Sequence, residues 1–209
     1  MKYVLFSGCT GVGKSFIKER IKNILETEYG YKNIYCFDDP YVNNPFIESA
    51  YSDKKKSFQS QIFFINEFIK IHKKISSLYN SDCIILQERS LFESVLVFCK
   101  LNLIQNIFSD DEYKLCESLL SNIISWFKVP DIVINITSDS NTIIERISKR
   151  GREFESSIDQ TFIDQQRKLY NQFAEYIQRE FGIPTYDFQN WTDDTNDSIR
   201  QLVHTFFTK

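Results

Sequence analysis

Three of the chain's six glycines fall within six residues, between a short apolar run and a helix-like segment. The segment Gly8-Cys9-Thr10-Gly11-Val12-Gly13-Lys14-Ser15 fits the pattern G-x-x-x-x-G-K-[ST]. Glycines let successive backbone N–H groups turn inward, and the helix N-terminus adds positive potential, so this loop is suited to hold phosphates. Lys14 can reach the β and γ phosphates, and the Ser15 hydroxyl can ligate Mg²⁺. The loop therefore predicts a site for a nucleoside triphosphate with Mg²⁺.

Short apolar runs alternate with helix-like periods along the whole chain. Strands are predicted at 3–6, 34–37, 83–86, 131–136 and 185–188, and helices at 16–28, 58–78, 91–107, 110–127, 141–149, 161–181 and 196–207. Three of the strands are nearly continuous in apolar residues, as in a parallel sheet covered on both faces. The alternation favours a three-layer α/β fold with right-handed crossovers. We expect one domain over residues 1–209, because no repeat, linker or low-complexity segment divides the chain.

The composition argues against several classes of function. Lys and Arg number 25 against 28 Asp and Glu, so the formal net charge of −3 gives no support to nucleic-acid binding through charge. No apolar run approaches the roughly 20 residues that span a bilayer. Five cysteines without a C-x-x-C pair indicate reduced thiols in a cytoplasmic protein, and two distant histidines argue against a His-based zinc site. We expect no nucleic-acid or membrane partner.

Two acidic residues, Asp38 and Asp39, stand at the C-terminal end of the second predicted strand, before Pro40. In an open α/β sheet this edge faces the ligand crevice. A carboxylate there could take the proton of an attacking hydroxyl, as phosphoryl transfer requires. Asp-Asp-Pro is also a good turn sequence, and this feature alone does not separate the two interpretations.

The third predicted strand is followed directly by Gln87-Glu88-Arg89-Ser90. Glu88 would lie opposite Ser15 and could hold Mg²⁺ or its waters, and Arg89 could bind an oxygen of a phosphate or a hydroxyl. A helix cap with a local ion pair is the alternative. Because the segment would lie beside the phosphate loop, we favour the functional interpretation.

Arginines are concentrated in one segment. Three of the eight, Arg146, Arg150 and Arg152, lie within seven positions, and Gly151 stands between the last two. Such density beside a flexible glycine is typical of a lid, at about 146–160, that closes over developing phosphate charge. A solvated basic helix end is the competing interpretation.

No arginine occurs between Arg20 and Arg89. An enzyme that phosphorylates a nucleoside monophosphate must hold the acceptor's phosphate, for which arginine is the natural ligand. A neutral acceptor with a hydroxyl is therefore favoured, while the lysines at 54–56 leave a thymidylate-type kinase as an alternative. A non-catalytic nucleotide-binding protein is a second alternative, disfavoured by the complete set of phosphate- and metal-binding residues.

Taken together, these motifs resemble the deoxynucleoside kinase family of P-loop proteins. In family order and nearly family spacing, they are the phosphate loop, Asp39-Pro40 where the family usually has Glu-Pro, Asn44-Pro45-Phe46, Tyr51, Ser57-Phe58-Gln59-Ser60-Gln61, Glu88-Arg89-Ser90 and the arginine segment with Glu155. The combination is more specific than any one motif. The resemblance implies a five-stranded parallel sheet, a homodimer, and ATP-dependent transfer to the 5′-hydroxyl of a (deoxy)ribonucleoside.

The resemblance also implies catalytic roles. Asp39 would be the general base, one methylene shorter than the usual Glu, with Asp38 as a weaker candidate. Glu88 would serve Mg²⁺ together with Ser15, and Arg89 would serve the 5′-oxygen. The lid arginines would cover the phosphates of ATP.

Nucleoside contacts follow from the same resemblance. Tyr51 and Glu155 would hold the 3′-hydroxyl of the sugar. Gln61 would read the base edge through its amide, with Gln59 as the runner-up. The sequence does not assign the contact to the adenine of ATP; residues 189–191, after the last predicted strand, are only a candidate.

The base pocket departs from the family pattern at two positions. Gln61, Phe64 and Phe68 share a helix face (i, i+3, i+7), so rings could line the pocket. Members that read cytosine or purines generally carry Arg where this chain has Phe68 and Asp where it has Ser94. Because both the Arg and the Asp are absent here, the pocket lacks this charge pair and neither charge is left buried without its partner. This is closer to members that favour thymidine or accept pyrimidines broadly, but bulky rings could refit the pocket, and the base stays open.

The predicted helix from residue 91 is apolar almost all round from Val95 onward. A helix on the outer layer of a monomer would show a polar face. We expect it to be buried against a second subunit, in agreement with the implied homodimer, with burial inside one chain as the alternative.

Overall fold

Five strands form one parallel sheet in the computed structural model of the protein, which describes residues 1–78, 82–189 and 196–207. The strands are β1 (Lys2–Ser7), β2 (Ile34–Phe37), β3 (Ile84–Glu88), β4 (Ile132–Thr137) and β5 (Thr185–Gln189). Their order is β2-β3-β1-β4-β5, and every pairing is parallel. The predicted α/β fold with a five-stranded sheet is confirmed, with each strand boundary within two residues of its expected position.

Helices connect the strands and cover the sheet. They are α1 (Lys14–Thr27), α2 (Ile47–Ser52), α3 (Ser57–Ser77), α4 (Leu91–Glu93, Ser94–Cys99 and Lys100–Ile104 in one continuous helix), α5 (Asp110–Ile123), α6 (Ser140–Arg150), α7 (Gln160–Phe181) and α8 (Asn196–Phe207). Short 3₁₀ turns occupy Pro40–Asn43, Ile124–Trp126 and Glu153–Glu155. All seven predicted helices are present, whereas α2 and two of the 3₁₀ turns have no predicted counterpart because they are too short to show a helical period.

The central strands β1, β3 and β4 form the core of the sheet. Every residue of β3 is buried, as are all but one residue in each of β1 and β4. The chain winds outward from β1 in both directions, and in such sheets the ligand crevice lies at the carboxyl ends of the strands, where the winding reverses. The phosphate loop follows β1, Asp38 and Asp39 follow β2, and Arg89 follows β3, so the predicted site residues meet at this edge.

Gly13, the N-cap residue before helix α1, has a left-handed backbone (φ 108°), and the helix packs one apolar face onto the sheet. The buried residues of this face are Lys14, Ile17, Lys18, Ile21, Ile24 and Leu25. Two lysines thus share a stripe that otherwise holds isoleucine and leucine. Both lie in the first two turns of the helix, closest to the crevice.

Helix α4 is buried by other helices of the same chain. Leu91, Val95, Val97 and Cys99 are at most 1% exposed, and the helix packs against α3, α5 and α7. The apolar character of this helix therefore reflects burial inside one chain, and the expectation that it needs a second subunit is wrong. The homodimer itself stays a prediction of the family resemblance.

Among the residues that the structure describes, no helix is long and apolar enough to cross a membrane. The five cysteines are free thiols, and four of them are buried.

Candidate active site

One cavity of about 420 Å³ lies at the carboxyl edge of the sheet, with the phosphate loop at one end and aromatic side chains of α3 and α4 at the other. The predicted site residues line it except Gly8, Cys9 and Val12 of the phosphate loop, and the weaker candidates Asp38, Gln59 and Gln189 do not line it either. Four further side chains complete the wall: Tyr41, Ile47, Phe98 and Phe154. The phosphate and nucleoside residues that the sequence predicts separately therefore surround a single space.

The start of the phosphate loop packs against the sheet. Gly8 has φ +135°, and a Cβ added there would lie 2.3 Å from the carbonyl oxygen of Ile136. Cys9 and Val12 are buried in the core, 3% and 0% exposed. These three residues set the path of the loop, and their side-chain positions face away from the cavity.

Gly11 joins the phosphate loop to helix α6, which carries two of the lid arginines. Its φ is +78°, and an added Cβ would lie 2.4 Å from Ile147 Cγ1 and 3.2 Å from the carbonyl oxygen of Ile143. Arg146 donates to the carbonyl oxygen of Val12 at 3.1 Å. The loop and helix α6 are therefore in direct contact.

Two backbone donors of the loop are engaged within the protein. The N–H of Thr10 donates to Oε1 of Gln166 at 2.7 Å, and the N–H of Val12 donates to the carbonyl oxygen of Cys9 at 3.2 Å. Gln166 lies on α7 and is fully buried. The N–H groups of Thr10 and Val12 thus turn toward protein oxygens.

Lys14 lies within the loop, where its Nζ donates to the carbonyl oxygens of Gly8 and Cys9, both at 2.8 Å. Burial, and next the nearby positive charge of Arg89, lower the pKa of Lys14. The amine of Lys14 thus lies against the backbone of the phosphate loop and on the wall of the cavity.

The two acidic residues after β2 have different surroundings. The Asp39 side chain is 17% exposed, lines the cavity, and has Oδ2 3.2 Å from Nε of Arg89. The Asp38 side chain is 76% exposed and pairs with Lys18 on α1. Geometry therefore favours Asp39 over Asp38 as the carboxylate that a bound acceptor would meet.

Arg89 connects several parts of the site. Its backbone is left-handed (φ 58°), with its N–H donating to the carbonyl oxygen of Phe6 at 3.1 Å and its own carbonyl accepting from Nε2 of Gln87 at 2.6 Å. Its guanidinium donates to Oγ1 of Thr10 at 2.9 Å and lies 4.3 Å from the ring centroid of Phe98. This cation–π contact holds the guanidinium at the floor of the cavity.

The predicted metal ligands are adjacent. The Ser15 hydroxyl donates to Oε2 of Glu88 at 2.8 Å, and Nζ of Lys18 lies 2.7 Å from Oε1 of the same carboxylate. No group of three or more His, Cys, Asp or Glu side chains suited to a metal occurs in the part of the chain that the structure describes. One carboxylate and one hydroxyl fit Mg²⁺, which completes its coordination with waters and substrate phosphates.

Two of the three predicted lid arginines converge on Glu155, whose side chain is 3% exposed. Arg150 lies 2.5 Å from Oε2 of Glu155 and Arg152 lies 3.3 Å from Oε1. Arg152 also donates to the hydroxyl of Tyr41 at 2.6 Å. Glu155 therefore contacts the lid cations directly, a contact that the sequence does not predict.

Aromatic and amide side chains form the far end of the cavity. Gln61 is 8% exposed, and its Oε1 is buried without a hydrogen-bond partner among the described residues. Phe64, Phe68 and Ser94 lie on the same wall. The alternative base reader, Gln59, is exposed and does not line the cavity.

Burial raises the pKa of Tyr51 to about 12, so its hydroxyl keeps a proton at neutral pH. The centroid of the Tyr51 ring lies 5.5 Å from the centroid of the Phe154 ring.

The candidate adenine contact covers residues 189–191. Gln189 ends β5 and is exposed, and residues 190 and 191 lie outside the described residues.

Lys18 and Gln166 are among the buried polar residues near the site that sequence reasoning missed. Lys18 occupies the apolar stripe of α1, and Gln166 occupies the stripe of α7 formed by Ile163, Leu169 and Tyr170. A polar side chain whose neighbours one turn away are all apolar is a signal that could have found Gln166. Lys18 gives no such signal, because Lys14 and Lys22 lie one turn from it.

A phosphate loop, an arginine-rich segment and one cavity between them at the carboxyl edge of a parallel sheet form the arrangement of a P-loop kinase. The family model described as deoxynucleoside kinase matches residues 5–208, so the chain belongs to the deoxynucleoside kinase family. It is an enzyme that transfers a phosphoryl group from a nucleoside triphosphate to a nucleoside and forms the monophosphate.

Known relatives match over nearly the whole chain. The chain is 26% identical over 211 residues to the deoxyadenosine/deoxycytidine kinase of Bacillus subtilis (strain 168), covering 96% of this chain and 93% of the relative. It is 27% identical over 217 residues to the deoxyguanosine kinase of Lactobacillus acidophilus, covering 97% and 90%. The structure of deoxyadenosine kinase from M. mycoides with bound dCTP superposes with a TM-score of 0.78 at 25% identity, covering 99% and 100%. None of these three is named for thymidine.

Proposed function

We propose that the protein transfers the γ-phosphoryl group of ATP, as its Mg²⁺ complex, to the 5′-hydroxyl of a deoxyribonucleoside. The observation that carries this proposal is the single cavity that reaches from Lys14 and Ser15 to Gln61 and Phe68. A triphosphate and a nucleoside bound in that space would be held together for in-line transfer, which removes much of the entropic barrier of a bimolecular step.

In this mechanism Asp39 accepts the proton of the 5′-hydroxyl as the phosphorus–oxygen bond forms. Its carboxylate lines the cavity and stands beside the cationic Arg89. Arg89 is placed to compensate charge on the oxygens of the transferring group, because its guanidinium also reaches Thr10 in the phosphate loop.

Lys14 and the lid arginines Arg146, Arg150 and Arg152 bind the triphosphate. Lys14 exchanges its bonds to two loop carbonyls for phosphate oxygens. Ser15 and Glu88 would hold Mg²⁺, which when bound neutralises part of the triphosphate charge. Each of these groups is already on the cavity wall.

Tyr51 and Glu155 bind the 3′-hydroxyl of the sugar, with the protonated phenol able to donate and the carboxylate able to accept. Gln61 reads the edge of the base, and its unpartnered Oε1 supports a ligand donor at that point. Phe64, Phe68 and Ser94 form an uncharged wall around the base.

We further propose that residues 1–209 form one domain with a lid at about 146–160. The homodimer and the cytoplasmic location stay predictions. The alternative of a thymidylate-type kinase loses its support, because none of the lysines at 54–56 lines the cavity.

A panel of acceptors with ATP and Mg²⁺ tests the proposal: the four common deoxynucleosides, their ribonucleoside counterparts, and thymidylate. We expect monophosphate from at least one deoxynucleoside and no diphosphate from thymidylate, with omission of Mg²⁺ or Lys14→Ala abolishing turnover. Because the relatives named above use deoxyadenosine, deoxycytidine or deoxyguanosine, the panel also decides the base. Diphosphate formed from thymidylate, or transfer to the nucleoside without Mg²⁺, would contradict the assignment.

A further inference from the structure

Lys18 is a buried cation that the phosphate-loop pattern does not explain. It follows Lys14 by one helical turn on the same face of α1 and is 1% exposed. Its Nζ lies 2.7 Å from Oε1 of Glu88 and 3.6 Å from Glu19, and it donates to Oδ1 of Asp38. A buried ammonium is tolerated only where carboxylates compensate its lost hydration, so these contacts fix its position.

Glu88 divides its two oxygens between Lys18 and Ser15. Oε1 faces the ammonium of Lys18, and Oε2 accepts from the hydroxyl of Ser15. The carboxylate that we propose as a metal ligand is therefore oriented by a lysine on one side and by the other proposed ligand on the opposite side. A cation entering between Ser15 and Glu88 would lie within a few ångströms of an existing positive charge and would be repelled.

The charges around Lys18 indicate how strongly its ammonium opposes the binding of a metal ion at Glu88. Asp39 is already paired with Arg89, so Lys18 is shared mainly by Asp38 and Glu88. Removing the ammonium changes this group from one net negative charge to two. Two carboxylates and a hydroxyl would then offer Mg²⁺ the oxygen ligands that it prefers.

We propose that Lys18 is a resident counter-ion of the metal site, which prevents a divalent cation from binding to the protein alone and so makes the metal enter with the nucleotide. With the triphosphate bound, phosphate oxygens supply the additional negative charge and ligands that outweigh the repulsion from Lys18. Lys18 thus acts as a positioning residue through Glu88, without contact to the reacting atoms. The inference rests on the proposed roles of Ser15 and Glu88 in Mg²⁺ binding.

Binding of Mn²⁺, followed by electron paramagnetic resonance of the free ion, tests this without measuring turnover. Mn²⁺ prefers the same oxygen ligands as Mg²⁺. In the absence of nucleotide we expect weak binding to the wild type and to Lys18→Arg, and binding about tenfold tighter to Lys18→Met, which corresponds to about 1.4 kcal/mol. The double variant Lys18→Met/Glu88→Gln should lose the gain.

Near-UV circular dichroism of each variant checks folding, and Lys18→Gln is a second neutral variant. The proposal is overturned if a folded Lys18→Met or Lys18→Gln binds Mn²⁺ no more tightly than the wild type. It is also overturned, whatever the variants do, if the wild type alone binds Mn²⁺ as tightly as it does with ATP present. Mg²⁺-dependent formation of a nucleoside monophosphate by the wild type would leave the proposed function standing in either case.

Discussion

Nε of Arg89 lies 3.2 Å from Oδ2 of Asp39, while the same guanidinium donates to Thr10 in the phosphate loop. One side chain therefore sets the distance between the proposed base and the phosphates. Its left-handed backbone is an unusual conformation for a residue with a side chain, and such conformations persist where the surroundings hold them in place. Here Phe6 and Gln87 do so through backbone and side-chain hydrogen bonds.

This relationship predicts the behaviour of Asp39→Asn. The amide keeps nearly the same shape but accepts no proton, so we expect kcat to fall by a factor on the order of 10² or more, with little change in the KM for ATP. Steady-state kinetics with the best acceptor of the panel measures both. Asp38→Asn is the matched comparison, because Asp38 is exposed and outside the cavity. A wild-type kcat in Asp39→Asn, or a larger loss in Asp38→Asn, would show that Asp39 is not the base.

Gln166→Leu should weaken ATP binding. Leucine removes the acceptor of the Thr10 N–H and leaves a buried donor unsatisfied, a loss of about 1–3 kcal/mol. We expect the KM for ATP to rise about tenfold or more while the KM for the nucleoside changes little.

The neighbouring Gln165→Leu is the control for Gln166→Leu. Gln165 accepts from Gln105 at 2.8 Å, and neither residue belongs to the phosphate loop. Equal effects of the two substitutions, or a rise confined to the nucleoside KM, would contradict the idea that Gln166 positions the loop.

The strands and the phosphate loop are predictable from sequence because their signals are local. The predicted run at 83–86, most of which belongs to β3, is continuously apolar, and the loop pattern prescribes a strand before it and a helix after it. Asp39, Glu88 and Arg89 could be placed at the crevice because they directly follow strands, whose carboxyl ends meet at one edge.

Contacts between distant segments could not be predicted. The pairing of Lys18 with Glu88, and of Gln166 with Thr10, depends on how α1 and α7 pack on the sheet. Helix α4 is likewise buried by other helices of the same chain, α7 among them. Its apolar surface alone therefore gave the wrong prediction that it packs against a second subunit.

Gly11→Ala tests the contact between the phosphate loop and α6. The positive φ alone costs an alanine about 1–2 kcal/mol, and the added Cβ would also lie 2.4 Å from Ile147. We expect a larger loss of unfolding free energy in urea than for the control Gly30→Ala, together with weaker ATP binding. Gly30 has a similar φ of +71° with nothing within 4 Å of an added Cβ. Equal losses in the two variants would mean that the contact with Ile147 relaxes freely.

Stability at acidic pH should depend on His72, which lies on α3. It is 1% exposed, its ring nitrogens have no hydrogen-bond partner among the described residues, and its ring stacks on Phe127 at 4.9 Å. Burial lowers the pKa of His72 to about 4, against an ordinary value of 6.5. Between these values the unfolded chain binds more protons than the folded one, so unfolding free energy falls as pH falls.

We therefore expect wild-type stability to fall by about 2 kcal/mol more than that of His72→Phe between pH 7 and pH 5, in urea unfolding at each pH. Phenylalanine fills the same space beside Phe127 and does not titrate. His204→Gln, a change at an exposed position of α8, serves as the control for replacing a histidine elsewhere in the chain. Parallel pH profiles for the wild type and His72→Phe would mean that the buried imidazole accepts its proton without loss of packing, and the acid sensitivity would then have to come from carboxylates.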